Sequence, residues 1–254
     1  MIKIAVIKMK CNRSSQLALD LRATPRWGGR RAGAGRKPGP KPRVAHASRD
    51  RFRRLPAHVT LRLRPNLPSL RTVAIVRELE RSFAAGCARP GFRLAHYSLQ
   101  SNHAHLIVEA TDREALGRGM KAIGARVARA VNRVADRSGR VLAERYHLRL
   151  LPTPTEVRGA LRYVLLNARR HAAKAGAALS RARVALDPAS SARWFDGWKC
   201  SAARAHDHPP PPIARRHPQP VARPRTWLLR IGWRRHGLLD PADVPGADQA
   251  MRPS

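Results

Sequence analysis

The succession of hydrophobic periods over residues 57–176 constrains the fold of this chain more than any other feature. Apolar residues alternate with polar ones in some segments, as in a strand, and recur at every third or fourth position in others, as in a helix. The order of these segments is β-α-β-β-α-β-α. Its first six elements match the split β-α-β, ferredoxin-like arrangement, in which two helices cover one face of an antiparallel sheet. We therefore predict an α+β domain with one sheet face available for a ligand and a further helix after the sheet.

Four strands are expected, at 58–64, 92–99, 103–109 and 145–151. In the first of them apolar and polar side chains alternate strictly, which predicts a half-buried strand with a basic outer face. The residues on that outer face are His58, Thr60, Arg62 and Arg64.

Capping residues and apolar spacing predict three helices. The first begins at Ser69, as its N-cap, and its apolar residues reach Cys87. The second opens at 111–114 and ends at Ser138-Gly139, and the third is capped at 152–156 and runs to about Gly176.

Composition divides the chain into a basic flexible arm at 1–56, the folded domain at 57–176 and a basic extension at 177–254. The stretch 28–42 consists mostly of Gly, Pro, Arg and Lys, with almost nothing to bury. Such an arm can lie along phosphates or enter a minor groove, and the alternative is a solvated linker. In the extension, tryptophans flank a run of four prolines. We expect its ends to dock on the domain, with a short amphipathic helix within 226–239.

The net charge of +35, from 51 Lys and Arg against 16 Asp and Glu, indicates a polyanionic partner. Residues 1–60 and residues 61–176 each carry a net +14, so the folded part is basic as well as the arm. This balance excludes an ordinary acidic or neutral metabolic enzyme. The expected DNA contacts are Arg30, Arg31, Arg36, Lys37, Lys41, Arg62, Arg64, Lys121, Arg126, Arg162 and Arg170.

Three scattered cysteines without a CxxC pair argue against a disulfide framework and a cysteine-based zinc site. The chain has no run of about 18 apolar residues, so we expect no membrane span. Its first residues make a poor signal peptide, because Lys3 interrupts the apolar run. We expect a cytoplasmic, nucleoid-associated protein.

Two histidines and a later tyrosine are the candidate reactive residues. His103 and His105 alternate along a strand and so share a face, about 7 Å apart, where they could hold one divalent cation. Tyr163 and Asn167 are four residues apart on the last helix, and Arg170 lies near their face. A phenolate can attack phosphorus, and an arginine can neutralise phosphate oxygens. The alternatives are packing histidines and a tyrosine that only hydrogen-bonds locally.

The pattern Ser101-Asn102-His103-Ala104-His105, followed by Tyr163-x-x-x-Asn167, resembles the single-tyrosine HUH transposases. The closer likeness is to the REP-associated tyrosine transposases of bacterial chromosomes, and it spans residues 57–176. This chain has Ser101 where the family often has Pro, and Ala168 where the family often has Pro after the Asn.

The resemblance implies a metal-dependent enzyme that cleaves and rejoins single-stranded DNA near hairpin repeats. His103, His105 and Asn167 would be ligands of Mg²⁺ or Mn²⁺, and Tyr163 would form a 5′-phosphotyrosine link and release a 3′-hydroxyl. A monomer is expected, as in the REP-associated branch, and the insertion-sequence members work as dimers. The main alternative is a DNA-binding protein that keeps the fold without the chemistry. An RNA-binding protein is a third reading, although such modules normally carry aromatic residues on their strands.

Overall fold

The computed structural model describes residues 54–176, 185–199 and 218–245. All of these described residues belong to one compact unit. The predicted arm lies outside the described residues except for 54–56, and so do its expected DNA contacts, Arg30, Arg31, Arg36, Lys37 and Lys41. Within the described ranges, no helix is both long enough and apolar enough to cross a membrane.

Five strands form one antiparallel sheet in the order β2-β3-β4-β1-β5. They are β1 (Ala57–Arg62), β2 (Ala88–Arg89), β3 (Phe92–Leu99), β4 (His103–Ala110) and β5 (His147–Leu150). The connection from β1 to the β2–β3 hairpin passes β4, and the connection from β4 to β5 passes β1, which is the split β-α-β topology. The predicted α+β, ferredoxin-like sheet is therefore confirmed. The additional strand β2 has only two residues, too few to produce an alternating pattern.

Two helices, α1 (Val73–Ala84) and α2 (Arg113–Val134), cover one face of the sheet. Helix α2 opens within 111–114 as predicted, and Asp112 caps it by accepting a hydrogen bond from the Ala115 amide. The predicted N-cap Ser69 of α1 is wrong, because the helix begins after Thr72. The Leu70 amide donates instead to the Ser101 carbonyl at 3.0 Å, which holds this stretch as a turn against the sheet.

The segment after the sheet forms two helices, α3 (Pro154–Leu165) and α4 (Asn167–Lys174), instead of the single helix predicted. The break falls at Leu166, whose φ of −110° and ψ of 15° depart from helical values. All four residues at 164–167 are buried. Successive residues of a helix point in different directions, so one continuous surface helix does not bury four in a row.

The second face of the sheet is covered in part, whereas the sequence predicts that the whole face is available for a ligand. Ala95 and Ile107 on this face pack with Leu161 of α3 and with Phe195 and Trp233 of the extension. The extension contributes α5 (Trp227–Arg230) and the 3-10 helices Ser191–Trp194 and Gly232–His236, so only part of the predicted helix at 226–239 is α-helical. Trp233 is 1% exposed, so the extension docks on the domain and completes its core.

A buried carboxylate holds the extension on the sheet. Glu109 of β4 accepts hydrogen bonds from the Arg225 amide at 2.7 Å, the Thr226 amide at 2.9 Å and the Thr226 hydroxyl at 2.6 Å. Hydrogen bonds to a charged acceptor are stronger than neutral ones. The extension is therefore anchored at the same face of β4 that carries the two histidines.

Candidate active site

Strand pairing brings the polar side chains of β1 and β4 together on the second face of the sheet. His105 lies opposite Thr60 and His103 opposite Arg62 in the antiparallel register. His105 is 5% exposed, and His103 is half-buried at the start of the strand. Their Nε2 atoms are 3.1 Å apart, so the two imidazoles point to one place.

Helices α3 and α4 place two further predicted residues over these histidines. The Tyr163 hydroxyl of α3 lies 3.4 Å from His105 Nε2, and the two rings are 5.0 Å apart in a T-shaped arrangement. Arg170 of α4 donates to the Tyr163 hydroxyl at 3.3 Å, and its guanidinium carbon lies 5.1 Å from the ring centre. His103, His105, Tyr163 and Arg170 therefore form one cluster.

His58 also belongs to this cluster, although its alternation along the strand predicts no more than a place on a basic outer face. Its Nε2 atom lies 3.2 Å from His105 Nδ1, and the Thr60 hydroxyl lies 3.3 Å from the same nitrogen. The alternation of β1 puts His58 and Thr60 on one face, which is a usable signal. The pairing of β1 with β4, which the alternation does not reveal, turns that face into part of the site.

The three histidines are neutral at pH 7. Burial, assisted by the positive charge of Arg149, lowers the pKa of His58 to about 4. Burial and the neighbouring histidines lower the pKa of His105 to about 2, and burial also lowers the pKa of His103. His103 Nδ1 lies 2.8 Å from Asn102 Oδ1, an atom that only accepts, so Nδ1 carries the hydrogen and Nε2 presents its lone pair.

The donors around His103 and His105 fit a divalent cation. Two cis ligands of an octahedral ion, each at about 2.1 Å, lie about 3 Å apart, close to the separation of the two Nε2 atoms. The Asn167 side chain is fully buried, and neither atom of its amide has a hydrogen-bond partner in the described part of the chain. A buried amide without a partner is costly, so Asn167 is a polar group for which the described protein supplies no hydrogen bond.

The chemistry of these donors favours one of the two expected ions. Among the described residues, no group of three or more His, Cys, Asp and Glu side chains is arranged to hold a metal. An ion held by His103 and His105 would thus depend on two imidazoles and on neutral oxygen donors. Mg²⁺ prefers oxygen ligands, whereas imidazole binds later transition metals more readily, so this set suits Mn²⁺ better than Mg²⁺.

Besides Arg170, three of the arginines expected to contact DNA lie near the site, and their surroundings differ. Arg62 and Arg64 are exposed at the end of β1, and Arg62 lies beside His103 in the register. Arg162 of α3 forms an ion pair with Asp243 at 3.4 Å and donates to the Val244 carbonyl at 3.2 Å. Arg162 therefore ties α3 to the extension.

Lys121 and Arg126 lie on α2, which packs on the opposite face of the sheet, so neither joins the cluster. Lys121 is exposed. Arg126 donates to the Ser82 carbonyl at 2.8 Å and to the Ala85 carbonyl at 3.4 Å. These are carbonyls at the carboxyl end of α1, so Arg126 stabilises the contact between the two helices.

Comparisons with known proteins give structural neighbours only. No family model matches the chain, and no curated protein matches it. A solved structure of a REP-associated tyrosine transposase bound to a REP hairpin is similar over 50% of this chain and 74% of that one, with 14% identity and a TM-score of 0.41. A crystal structure from Deinococcus radiodurans R1, described as a candidate transposase, is similar over 53% of this chain and all of that one, with 14% identity and a TM-score of 0.34.

Proposed function

We propose that this protein cleaves and rejoins single-stranded DNA through a covalent link between DNA and Tyr163. The observation that carries the proposal is the contact of the Tyr163 hydroxyl with both His105 Nε2 and the Arg170 guanidinium. Packing alone does not require a tyrosine to meet a cation and a pair of converging imidazoles. The Tyr163 hydroxyl can act as a nucleophile, the imidazoles can bind a metal ion, and the guanidinium can pair with a phosphate.

In the proposed reaction the Tyr163 oxygen attacks the phosphorus of a phosphodiester. A bond forms between the phenolic oxygen and phosphorus, and the bond from phosphorus to the 3′ oxygen breaks. The phenol loses its proton, and the released 3′ oxygen gains one, so the product is a 5′-phosphotyrosine and a free 3′-hydroxyl. Attack by a 3′-hydroxyl on this link reverses the step and restores Tyr163.

His103, His105 and the Asn167 amide are proposed to hold Mn²⁺ or Mg²⁺. When bound, such an ion would polarise the scissile phosphate and offset its negative charge. His58 and Thr60 orient His105 from the side of Nδ1, which leaves Nε2 directed at His103. Arg170 stabilises negative charge on the phenolic oxygen as the proton leaves, since its guanidinium stays charged.

DNA is the proposed partner, as hairpin repeats with single-stranded flanks, and the protein is proposed to act as a monomer. The net charge of +35 supports a polyanion, and Arg62 and Arg64 are exposed beside the cluster. Arginine pairs with phosphate through two parallel hydrogen bonds, which suits a strand held over the tyrosine.

The experiment is a covalent-adduct assay on the purified protein. Wild type, Tyr163→Phe and His103→Ala are incubated with Mn²⁺ and a pool of hairpin oligonucleotides with randomised single-stranded flanks. A protein–DNA adduct that survives denaturing electrophoresis is expected for wild type alone. Equal adduct formation by Tyr163→Phe would show that Tyr163 is not the nucleophile.

The same assay separates the enzyme from a DNA-binding protein that lacks the chemistry. Such a protein would reduce the mobility of the hairpins in a native gel but would form no covalent adduct with any metal ion present. Tyr163→Phe is the matched control, because it removes one oxygen and keeps the ring contacts with His58 and His105. Its native-gel shift should equal that of wild type.

A further inference from the structure

A cavity of about 460 Å³ lies beside Tyr163, between α3, the β1–β5 edge of the sheet and the 3-10 helix Gly232–His236. Its volume falls within the roughly 300–1,000 Å³ of sites that bind small molecules. Tyr163 and His58 both line it, so the cavity adjoins the cluster that contains the proposed nucleophile. The reaction as proposed above makes no use of this space.

The cavity carries a positive charge. Three arginines line it, Arg149, Arg158 and Arg162, against one carboxylate, that of Glu156. Arg149 donates to Glu156 at 3.1 Å, and Arg158 donates to the Gly237 carbonyl at 3.0 Å. These contacts, together with the ion pair between Arg162 and Asp243 at 3.4 Å, fix the guanidinium groups in place. A guanidinium has five donor hydrogens, so an arginine that already has one partner keeps donors for a phosphate. An anionic ligand fits this lining.

Gly159 leaves part of the cavity wall open. It lies in the middle of α3, where glycine is the poorest helix former after proline. A side chain at this position would meet no atom within 4 Å beyond its own stretch of helix, among the described residues. Because Gly159 also lines the cavity, the missing side chain leaves room there for a ligand.

We propose that this cavity binds one nucleotide of the DNA single strand, next to the phosphate on which Tyr163 acts. The arginines neutralise the phosphate of that nucleotide, and its base occupies the space over Gly159. His236 closes the far wall, and the Thr155 hydroxyl lies 3.2 Å from its ring, so the extension helps to build the site. The DNA partner is taken from the proposed function, whereas the cavity is a separate binding site.

The experiment fills the cavity without changing its charge. Gly159→Leu places a good helix former in open space, and Gly117→Leu is the matched control, because Gly117 is also an exposed helical glycine with no atom within 4 Å. Affinity for the flanked hairpin pool is measured by fluorescence anisotropy in EDTA, so that cleavage does not interfere. The same hairpins with an abasic flank report the contribution of the base.

We expect Gly159→Leu to bind the flanked hairpins at least tenfold more weakly than wild type, and Gly117→Leu to stay within twofold. On the abasic flank, wild type and Gly159→Leu should bind alike. Equal affinities of the two leucine variants for the normal flank would overturn the proposal, as would absence of binding by wild type. An equal loss by Gly159→Leu on both flanks would refute a base in the cavity.

These outcomes are separable from the test of Tyr163. A wild-type adduct together with equal binding by the two leucine variants would support Tyr163 as the nucleophile and contradict the nucleotide site. If Gly159→Leu selectively lowers the affinity for the flanked hairpins and wild type forms no adduct, the nucleotide site is supported and Tyr163 as the nucleophile is contradicted.

Discussion

His96 is buried between the sheet and the segment 185–199. Lowering the pH should reduce the free energy of unfolding, because the folded protein disfavours protonation of this residue. It is 6% exposed, its Nδ1 lies 3.3 Å from the Ser191 hydroxyl, and its ring packs edge-on against Phe195 at 5.4 Å. Burial lowers the pKa of His96 to about 4, although the nearby Asp196 acts in the opposite direction. The neutral form is therefore the one that the fold accepts.

The sign and size of the effect follow from proton linkage. The unfolded chain has a His96 pKa near 6.5 and binds more protons than the folded chain between pH 6.5 and 4. The stabilisation is complete above pH 6.5 and is lost as the pH falls from there toward 4. At pH 5 the loss from His96 amounts to about 2 kcal/mol. This is a large part of the 5–15 kcal/mol that typically separates folded from unfolded protein.

Urea unfolding followed by tryptophan fluorescence at pH 7.5 and pH 5 measures this loss. His96→Asn keeps a polar group near Ser191 but cannot take up a proton, and His96→Leu removes the polar group as well. Whatever their stability at pH 7.5, both variants should lose about 2 kcal/mol less than wild type between the two pH values. If both variants lose as much unfolding free energy as wild type between pH 7.5 and pH 5, His96 is not held neutral in the folded protein.

Three further outcomes are expected. Trp233→Ala should destabilise the protein by about 3–5 kcal/mol in urea unfolding, because Trp233 is 1% exposed in the core that joins the extension to α3, and a change below 1 kcal/mol would contradict that packing. His58→Phe should lower Mn²⁺ affinity about tenfold in calorimetry at pH 7.5, because His105 loses one of two partners at Nδ1, and unchanged affinity would show that Thr60 alone orients the ring. Arg170→Ala should slow adduct formation about a hundredfold at saturating DNA, and an unchanged rate would remove Arg170 from the reaction.

Local periodicity was sufficient to predict most of the sheet and its two covering helices. Strands β3 and β4 and the cap of α2 at Asp112 depend on alternation and on capping chemistry, which act over a few residues. The convergence of His103 and His105 likewise follows from alternation along one strand. Such features need no knowledge of which elements become neighbours.

The rest depends on contacts between residues far apart in sequence. The break at Leu166 accompanies burial on several sides of the chain, which no single-helix pattern reveals. The covered second face follows from Trp233 and Phe195, whose docking place the sequence alone does not specify. The role of His58 depends on the pairing of β1 with β4.

Mass spectrometry of the proposed adduct tests the central claim most directly. After reaction with Mn²⁺ and the hairpin pool, a nuclease degrades the DNA down to the linked nucleotide. Trypsin then cuts the chain after Arg162 and Arg169, which isolates residues 163–169. The proposal predicts a nucleotide joined through phosphate to Tyr163 in this peptide, and none in the Tyr163→Phe protein. A nucleotide on another residue such as Tyr146, or an unmodified 163–169 peptide in a sample that has cleaved the DNA, would contradict it.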